Sequence, residues 1–357
     1  MCTSGIMLFQ KLLEKKSISI RCKGLMLILL GGNMLTNYEL QYMQILRDIY
    51  EKGYEDGTNE RTGFATKRLP CRVITVDLGI EFPILRSKKV FHKSAEKEIL
   101  WIWQKMSNNT GDLDAHIWDE WADKYGSIGA AYGAQVRKPV IIYTDPVHKT
   151  PESFRAYKNQ TEFILEYLRE FPNGRWANAT LWNVNDLWAM NLVPCCHTVT
   201  WNLDGGRLNC VLDQRSGDMP LGVPFNTTQY AMLTCMFAKD LGVQPGILTH
   251  VIADAHIYAN QMEGVKHQLD NYDILRAVIR HTKDIVMESG LLQDYMFTYN
   301  IEQSAESFYA ECLNVVGTAP TFVIKEDTRS FWDMSLTNAY VDNYRSLGKV
   351  EMGDVAV

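Results

Sequence analysis

The sequence contains no apolar run approaching the roughly 18 residues that a membrane helix needs. The longest early run, 25–30, stops at Gly31-Gly32-Asn33. It is also shorter than the roughly 7–15 residues of a signal-peptide core, and no small-residue cleavage site follows it. Among the eight cysteines no pair has zinc-knuckle spacing, and a chain of 357 residues is too large to need disulfide staples. A reduced, cytoplasmic compartment is therefore expected, with no metal and no membrane. Basic residues are outnumbered, 36 Lys and Arg against 42 Asp and Glu, and a net charge of -6 offers no electrostatic footprint for nucleic acid. Any phosphate must then be held by a local cluster of arginines. Internal repeats, low-complexity tracts and Pro/Ser-rich linkers are lacking too, which favours one large domain over several.

What is there is ordinary globular material, 46% hydrophobic and 22% charged. Residues 1–33 read as an N-terminal extension outside the fold, with Met34 as the alternative start, and 34–357 as one catalytic domain. Tyr42, Met43, Leu46, Ile49 and Tyr50 lie close to one stripe of a helix over 38–52 that ends near Gly53. Residues 71–78 alternate as a strand. Ser94 is the expected N-cap of a helix running to 106, and 160–170 reads as another helix. Two alternating runs, 198–203 and 207–212, are joined by Asp204-Gly205-Gly206, residues that tolerate positive φ. Asn226 or Thr227 is the expected cap of a helix carrying Tyr230, Leu233, Phe237 and Leu241 on one face and stopped by Gly242. The class that follows is α+β.

The chemistry concentrates around Val193-Pro194-Cys195-Cys196-His197, which leads into the first strand of the hairpin. Strand alternation groups Cys196 with Thr198, Thr200 and Asn202, and Cys195 with Val199 and Trp201. On that parity Cys196 looks into a polar site, Cys195 into the core, and His197 away from the Cys196 thiol. The bland alternative makes both cysteines small core residues. Against it stands the following block, Gln214-Arg215-Ser216-Gly217-Asp218 through Leu221-Gly222-Val223-Pro224-Phe225-Asn226. It sets an arginine fork, a hydroxyl, a carboxylate and a carboxamide on a segment pinned by Gly and Pro. Arg215 and Ser216 could hold a phosphate, and Asn226 a base edge. An arginine near Cys196 would lower the pKa of its thiol, as nucleophilic attack requires.

These stretches, with Asp254-Ala255-His256-Ile257-Tyr258, resemble the thymidylate synthase family. So do Arg61-Thr62-Gly63, Lys88-Lys89, Lys97-Glu98-Ile99-Leu100-Trp101, Ile117-Trp118-Asp119-Glu120-Trp121, Tyr132-Gly133 and the end Val355-Ala356-Val357. The likeness runs from residue 40 to 357 in the family's order. It implies a single α+β domain with a large mixed β-sheet covered by helices. It also implies reductive methylation of dUMP to dTMP, with 5,10-methylenetetrahydrofolate as co-substrate and dihydrofolate as product.

The same resemblance implies the site. Cys196 would add to C6 of uracil, Glu98 would organise the proton relay at O4, and Tyr132 would order the water that removes the C5 proton. Arg61, Arg215 and Ser216 would bind phosphate, with Gln214 and Asp218 beside them. Asn226 would read uracil N3–H and O4; His256 and Tyr258 would hold the sugar 3′-hydroxyl. Lys88, Trp118, Trp121, Asp218 and the tail at Val357 would contact folate. Arg175 would reach the partner's phosphate across a homodimer with shared sites. Read without the family, Glu98 is a solvated helix glutamate. Its neighbours Trp101 and Ile102 already make an apolar setting that raises a carboxyl pKa.

Two departures stand out. The family's paired arginines read Arg175-Trp176 here, and residues 271–316 match no pattern and look like a helical insertion. The nearest rival is a pyrimidine nucleotide hydroxymethylase on the same scaffold. Its cytosine-specific members carry Asp where this chain has Asn226, and Trp118 stands where a synthase shields its intermediate. A Cys/His hydrolase lacks a base facing the thiol, and an RNA-binding regulator conflicts with the acidic balance.

Overall fold

The computed structural model describes residues 35–353. The expected extension 1–33 and the tail residue Val357 lie outside the described residues. The chain opens with α1 (Asn37–Lys52), β1 (Tyr54–Asp56) and β2 (Thr66–Asp77). Next come α2 (His92–Trp103), α3 (Gly133–Val136), β3 (Val140–Tyr143), β4 (Phe154–Tyr157), α4 (Gln160–Glu170) and β5 (Asn178–Thr180). The centre holds β6 (Cys196–Asp204), β7 (Arg207–Gln214), β8 (Gly217–Asp218), α5 (Gly222–Leu241) and β9 (Gln244–Tyr258). A helical run follows, α6 (Met262–Arg280), α7 (Lys283–Glu288), α8 (Leu291–Thr298) and α9 (Ala305–Val316), then β10 (Thr321–Ile324) and β11 (Ala339–Asp342).

The main sheet has the order β1-β2-β9-β7-β6-β5, with β8 added alongside β9. Its neighbours are antiparallel except that β7 and β8 run parallel to β9, so the sheet is mixed. Inner-face residues are fully buried: Leu208, Cys210 and Leu212 on β7, Leu248, His250 and Ile252 on β9. Against them lies α5, whose buried residues surround the helix on all sides rather than forming one stripe. That makes α5 the central helix of the domain. The opposite face carries the row Thr75, Thr249, Val211 and Thr200 in register, none of them buried. At the free edge of β2, Gln41 of α1 bonds both the N–H and the carbonyl of Thr75.

Several helix boundaries differ from the pattern reading. The helix expected from Ser94 begins at His92 behind Phe91 and ends at Trp103, with Met106 already at φ 53°. The helix expected to be capped by Asn226 or Thr227 begins at Gly222. Pro224 fits its first turn because no backbone donor is needed there, and Asp218 Oδ1 accepts from the N–H of Leu221 at 3.1 Å. Asn226 thus sits inside the helix with its carboxamide free for other work. The 160–170 helix and the 38–52 helix form as expected, capped by Asn159 and Thr36. The stretch 271–316, expected to be a helical insertion, is helical and packed: Tyr295 stacks on Phe308 at 5.3 Å, and its hydroxyl bonds Asn271. Among the described residues no helix is long and apolar enough to cross a membrane.

Candidate active site

A polar cavity of about 410 Å³ opens at the carboxyl ends of β7 and β9, lined by Arg61, Arg68, Arg215, Ser216, His256 and Tyr258 among others. Arg61 stands on a tight loop in which Asn59 Oδ1 accepts from the N–H of Arg61 at 3.0 Å and of Thr62 at 3.3 Å. His256 and Tyr258 are two apart on β9, so they share a face, and their rings meet edge to face at 5.0 Å. Ser216 is placed by β8, which can lie against β9 because residue 217 is glycine. A Cβ there would come within 2.6 Å of Ile252 Cγ2. The cavity therefore gathers three arginine forks, of which Arg68 is already paired with Asp56 and Asp254, with a hydroxyl and two ring donors, a set suited to a phosphate and a sugar hydroxyl.

The cysteines do not follow the expected parity. Cys196 pairs with Gln214, but Thr198 pairs with Asp213, so His197 is a bulge residue. One extra residue flips every side chain beyond it. Cys196 consequently shares the core face with Val199 and Trp201, is 2% exposed, and its thiol bonds Gln214 Oε1 at 3.5 Å. Cys195 is half-buried and faces Arg215, whose Nη2 lies 4.0 Å from Sγ. The same guanidinium donates to the carbonyls of Pro194 at 3.0 Å and Val193 at 2.8 Å, which clamps the thiol segment. Tyr132 Oη accepts from the Cys195 N–H at 3.1 Å. Tyr132 itself holds φ 43°, strain of a kind that clusters at functional sites.

Electrostatics separate the two thiols further. Burial pushes both up, but Arg215 and then Arg61 pull Cys195 back down. Cys196 receives no such help; burial, then Cys195 and Glu98, hold its thiol well above the usual range. The expectation of a site-facing Cys196 and a core-facing Cys195 is thus reversed. His197 does stay away from the thiols: its Nδ1 meets Thr198 Oγ1 at 2.9 Å and its ring packs on Trp182.

Glu98 is not the solvated glutamate of a bare helix reading. It is 8% exposed, with Oε1 accepting from Trp118 Nε1 at 2.7 Å and Oε2 from Gln229 Nε2 at 2.7 Å. Burial raises its pKa to about 7, against the two hydrogen bonds, which lower it. A carboxyl poised there can take and return a proton at neutral pH. Gln229 accepts from Asn226 Nδ2 at 3.3 Å, and Asn226 Oδ1 accepts from Gln214 Nε2 at 3.2 Å. Gln229 escaped the sequence reading although it lies at i+3 from Asn226, one turn along the same helix.

The residues expected to meet folate line up less directly. Trp118 is buried behind Glu98, edge to face with Tyr132 at 5.0 Å and with Trp121 at 5.5 Å. Trp121 Nε1 is buried and has no hydrogen-bond partner among the described residues. Burial lowers Lys88 to about 8 while Asp218 opposes it, and Lys88 Nζ donates to the carbonyl of Pro220. Burial also raises Asp218, with His256 and the Gln261 and Leu221 bonds pulling the other way. Lys88 and Asp218 act on each other electrostatically, whereas the Trp121 indole packs on Trp118, and none of the three lines the cavity. Arg175 is exposed and does not line the cavity, while Trp176 stacks on Tyr167 at 6.1 Å.

An arginine-clamped thiol beside an arginine-lined cavity, with a neutral-pH carboxyl behind it, is an arrangement suited to covalent catalysis. Comparison with known proteins makes the class specific. The thymidylate synthase family model matches residues 40–304. A thymidylate synthase of Clostridium beijerinckii is 41% identical over 235 residues, 65% of this chain and 81% of that protein. One from Bacillus subtilis subsp. natto is 35% identical over 247 residues, 66% of this chain and 85% of the other. The solved thermostable thymidylate synthase A from Bacillus subtilis superposes with a TM-score of 0.68 at 29% identity, covering 90% of this chain and 99% of that one. The chain belongs to the thymidylate synthase family. It is accordingly a methyltransferase of dTMP biosynthesis, acting on dUMP with methylenetetrahydrofolate as co-substrate.

Proposed function

We propose that the cavity is the dUMP site and that Cys195, rather than Cys196, is the nucleophile. The observation that carries this reading is Arg215, which lies against the Cys195 sulfur and lines the phosphate cavity at the same time. Arg61, Arg215 and Ser216 hold the phosphate; His256 and Tyr258 hold the sugar hydroxyl; Asn226, with Gln214 behind it, reads the uracil edge. A phosphate drawn onto Arg215 and Arg61 fixes C6 of the base near Cys195. The thiolate adds at C6, C5 becomes the carbon nucleophile, and the C6–S bond breaks again as hydride reaches the exocyclic carbon, which restores the C5–C6 double bond. Glu98 manages the charge that develops at O4, held in place by Trp118 and Gln229. Tyr132 positions the thiol segment and the water that removes the C5 proton. The folate, when bound against Lys88, Trp121 and Asp218, supplies the methylene carbon and the hydride. Trp118 acts through Glu98 and walls the site, and Val357 closes it.

The enzyme works as a cytoplasmic homodimer in this reading. Two features support it: an uncovered sheet face of β-branched residues, and an exposed Arg175 away from its own cavity.

The test follows dihydrofolate absorbance with dUMP and methylenetetrahydrofolate. Wild type and Cys196→Ala should both generate signal, and Cys195→Ala none while still binding dUMP. Activity in Cys195→Ala with loss in Cys196→Ala would reverse the assignment. Nucleotide product without dihydrofolate would instead indicate a hydroxymethylase.

A further inference from the structure

His250 has no part in the reaction as described, yet it is wholly buried at the middle of β9, one side chain behind the base-reading group, on the far side of Gln214. Burial pulls its pKa down to about 3, so the ring is neutral and carries a single N–H. Its Nε2 lies 2.7 Å from Gln214 Oε1 and its Nδ1 2.9 Å from Thr227 Oγ1. Which end of Gln214 carries the NH2 is decided independently of the histidine. Gln214 Nε2 lies 2.9 Å from the carbonyl oxygen of Ser216, which can only accept. Gln214 Oε1 therefore faces His250 as an acceptor, and the ring proton must sit on Nε2. Nδ1 then accepts from the Thr227 hydroxyl, whose single proton is shared with the Val223 carbonyl at 2.8 Å.

The far end of the row obeys the same logic. Gln229 Nε2 lies 3.2 Å from the carbonyl oxygen of Ala95 and 2.7 Å from Glu98 Oε2, so it donates to both. Gln229 Oε1 is left facing Asn226 Nδ2 at 3.3 Å, and Asn226 Oδ1 faces Gln214 Nε2 at 3.2 Å. Every donor thus points one way, from Thr227 through His250, Gln214, Asn226 and Gln229 to Glu98. The orientation matters because uracil donates at N3 and accepts at O4, whereas cytosine presents the reverse. Without the imidazole N–H, Gln214 Oε1 keeps only the long thiol contact from Cys196. The amide then loses one of the two contacts that oppose its turning, leaving the Ser216 carbonyl to hold it, so the orientation of Asn226 is less firmly set.

We propose that His250 is a positioning residue which, through Gln214, holds the Asn226 carboxamide in the orientation that reads uracil, and so contributes to discrimination against cytosine nucleotides. The proposal rests on Asn226 being the base-reading group.

The experiment compares KM for dUMP with the inhibition constant of dCMP in wild type, His250→Phe and His250→Gln. His250→Phe should shrink the gap between the two constants by about tenfold, the value of one well-placed hydrogen bond. His250→Gln, which returns a donor near the position of Nε2, should restore the wild-type gap to within about threefold of its size. Equal weakening for both nucleotides in His250→Phe would overturn the proposal and leave a purely structural role. Failure of wild type to turn over dUMP at all would instead sink the reading of the site. Should the variants not fold, nitrogen-15 imidazole spectra of the wild-type protein decide the matter. An Nε2–H tautomer for His250 that does not titrate between about pH 6 and 9 is expected. An Nδ1–H tautomer, or titration in that range, would overturn the proposal.

Discussion

Glu98 offers the sharpest physical test of the site, because its geometry makes opposite demands on one carboxyl. Trp118 and Gln229 each donate to one of its oxygens, which favours the ionised form, while burial opposes ionisation and wins, raising the pKa to about 7. An ordinary glutamate in the unfolded chain ionises near 4.5. The native state therefore binds the proton more tightly than the unfolded state. Its contribution to stability is fully present below about pH 4.5 and is lost as pH rises through about 7. At about 1.4 kcal/mol per pH unit, the loss amounts to about 3 kcal/mol. Glu98→Gln cannot ionise, so it removes this dependence. Its amide NH2 faces one of the two donors, which costs about 1–3 kcal/mol at every pH. Urea unfolding of both proteins between pH 5 and 8.5, at fixed protein concentration, measures the difference. Glu96, also buried and raised to about 8, titrates in both proteins and cancels. Wild type should lead at pH 5 and lose most of that lead by pH 8. A difference that stays constant within about 1 kcal/mol across the range would refute the assignment of a neutral-pH carboxyl to Glu98.

Mixing Cys195→Ala with Arg175→Ala protomers should restore dihydrofolate formation, since in the heterodimer one site carries both lesions and the other none. Continued inactivity after verified subunit exchange would rule out shared sites. Asn226→Asp should shift the kcat/KM ratio toward dCMP, because a protonated carboxyl can present donor and acceptor the other way round; an unmoved ratio removes Asn226 as the specificity residue. Deleting Val357 should spare dUMP binding and cripple folate-dependent turnover by admitting water to a reactive intermediate. Full turnover by the truncated chain would show that closure does not need the tail.

Much of the site could be read from residue types in order. Arg215 and Ser216 stand out by residue chemistry, Arg61, His256 and Tyr258 only by the family's motif order, and the fold brings all five to the same cavity. The hairpin at Asp204-Gly205-Gly206 was equally legible, since both glycines adopt positive φ. These features depend on local chemistry, which a linear pattern retains. The alternation rule failed at His197 for a reason no local pattern carries. Whether a strand bulges depends on the partner it pairs with, and the partner pairing slips by one between Gln214 and Asp213.

Sequence alone therefore determined the family, the mixed α+β frame and the inventory of polar groups, because motif order and periodicity survive without coordinates. Only the tertiary structure decided which of two adjacent cysteines meets Arg215. Only it turned Glu98 from a helix glutamate into a carboxyl titrating near neutrality, because burial is a property of what packs around a residue. The amide row from His250 to Glu98 is likewise invisible in the chain, since it joins β9, β7, α5 and α2 across more than a hundred residues of sequence. Hydrogen-bond direction is set by neighbours in space, and those neighbours exist only once the sheet and its central helix have come together.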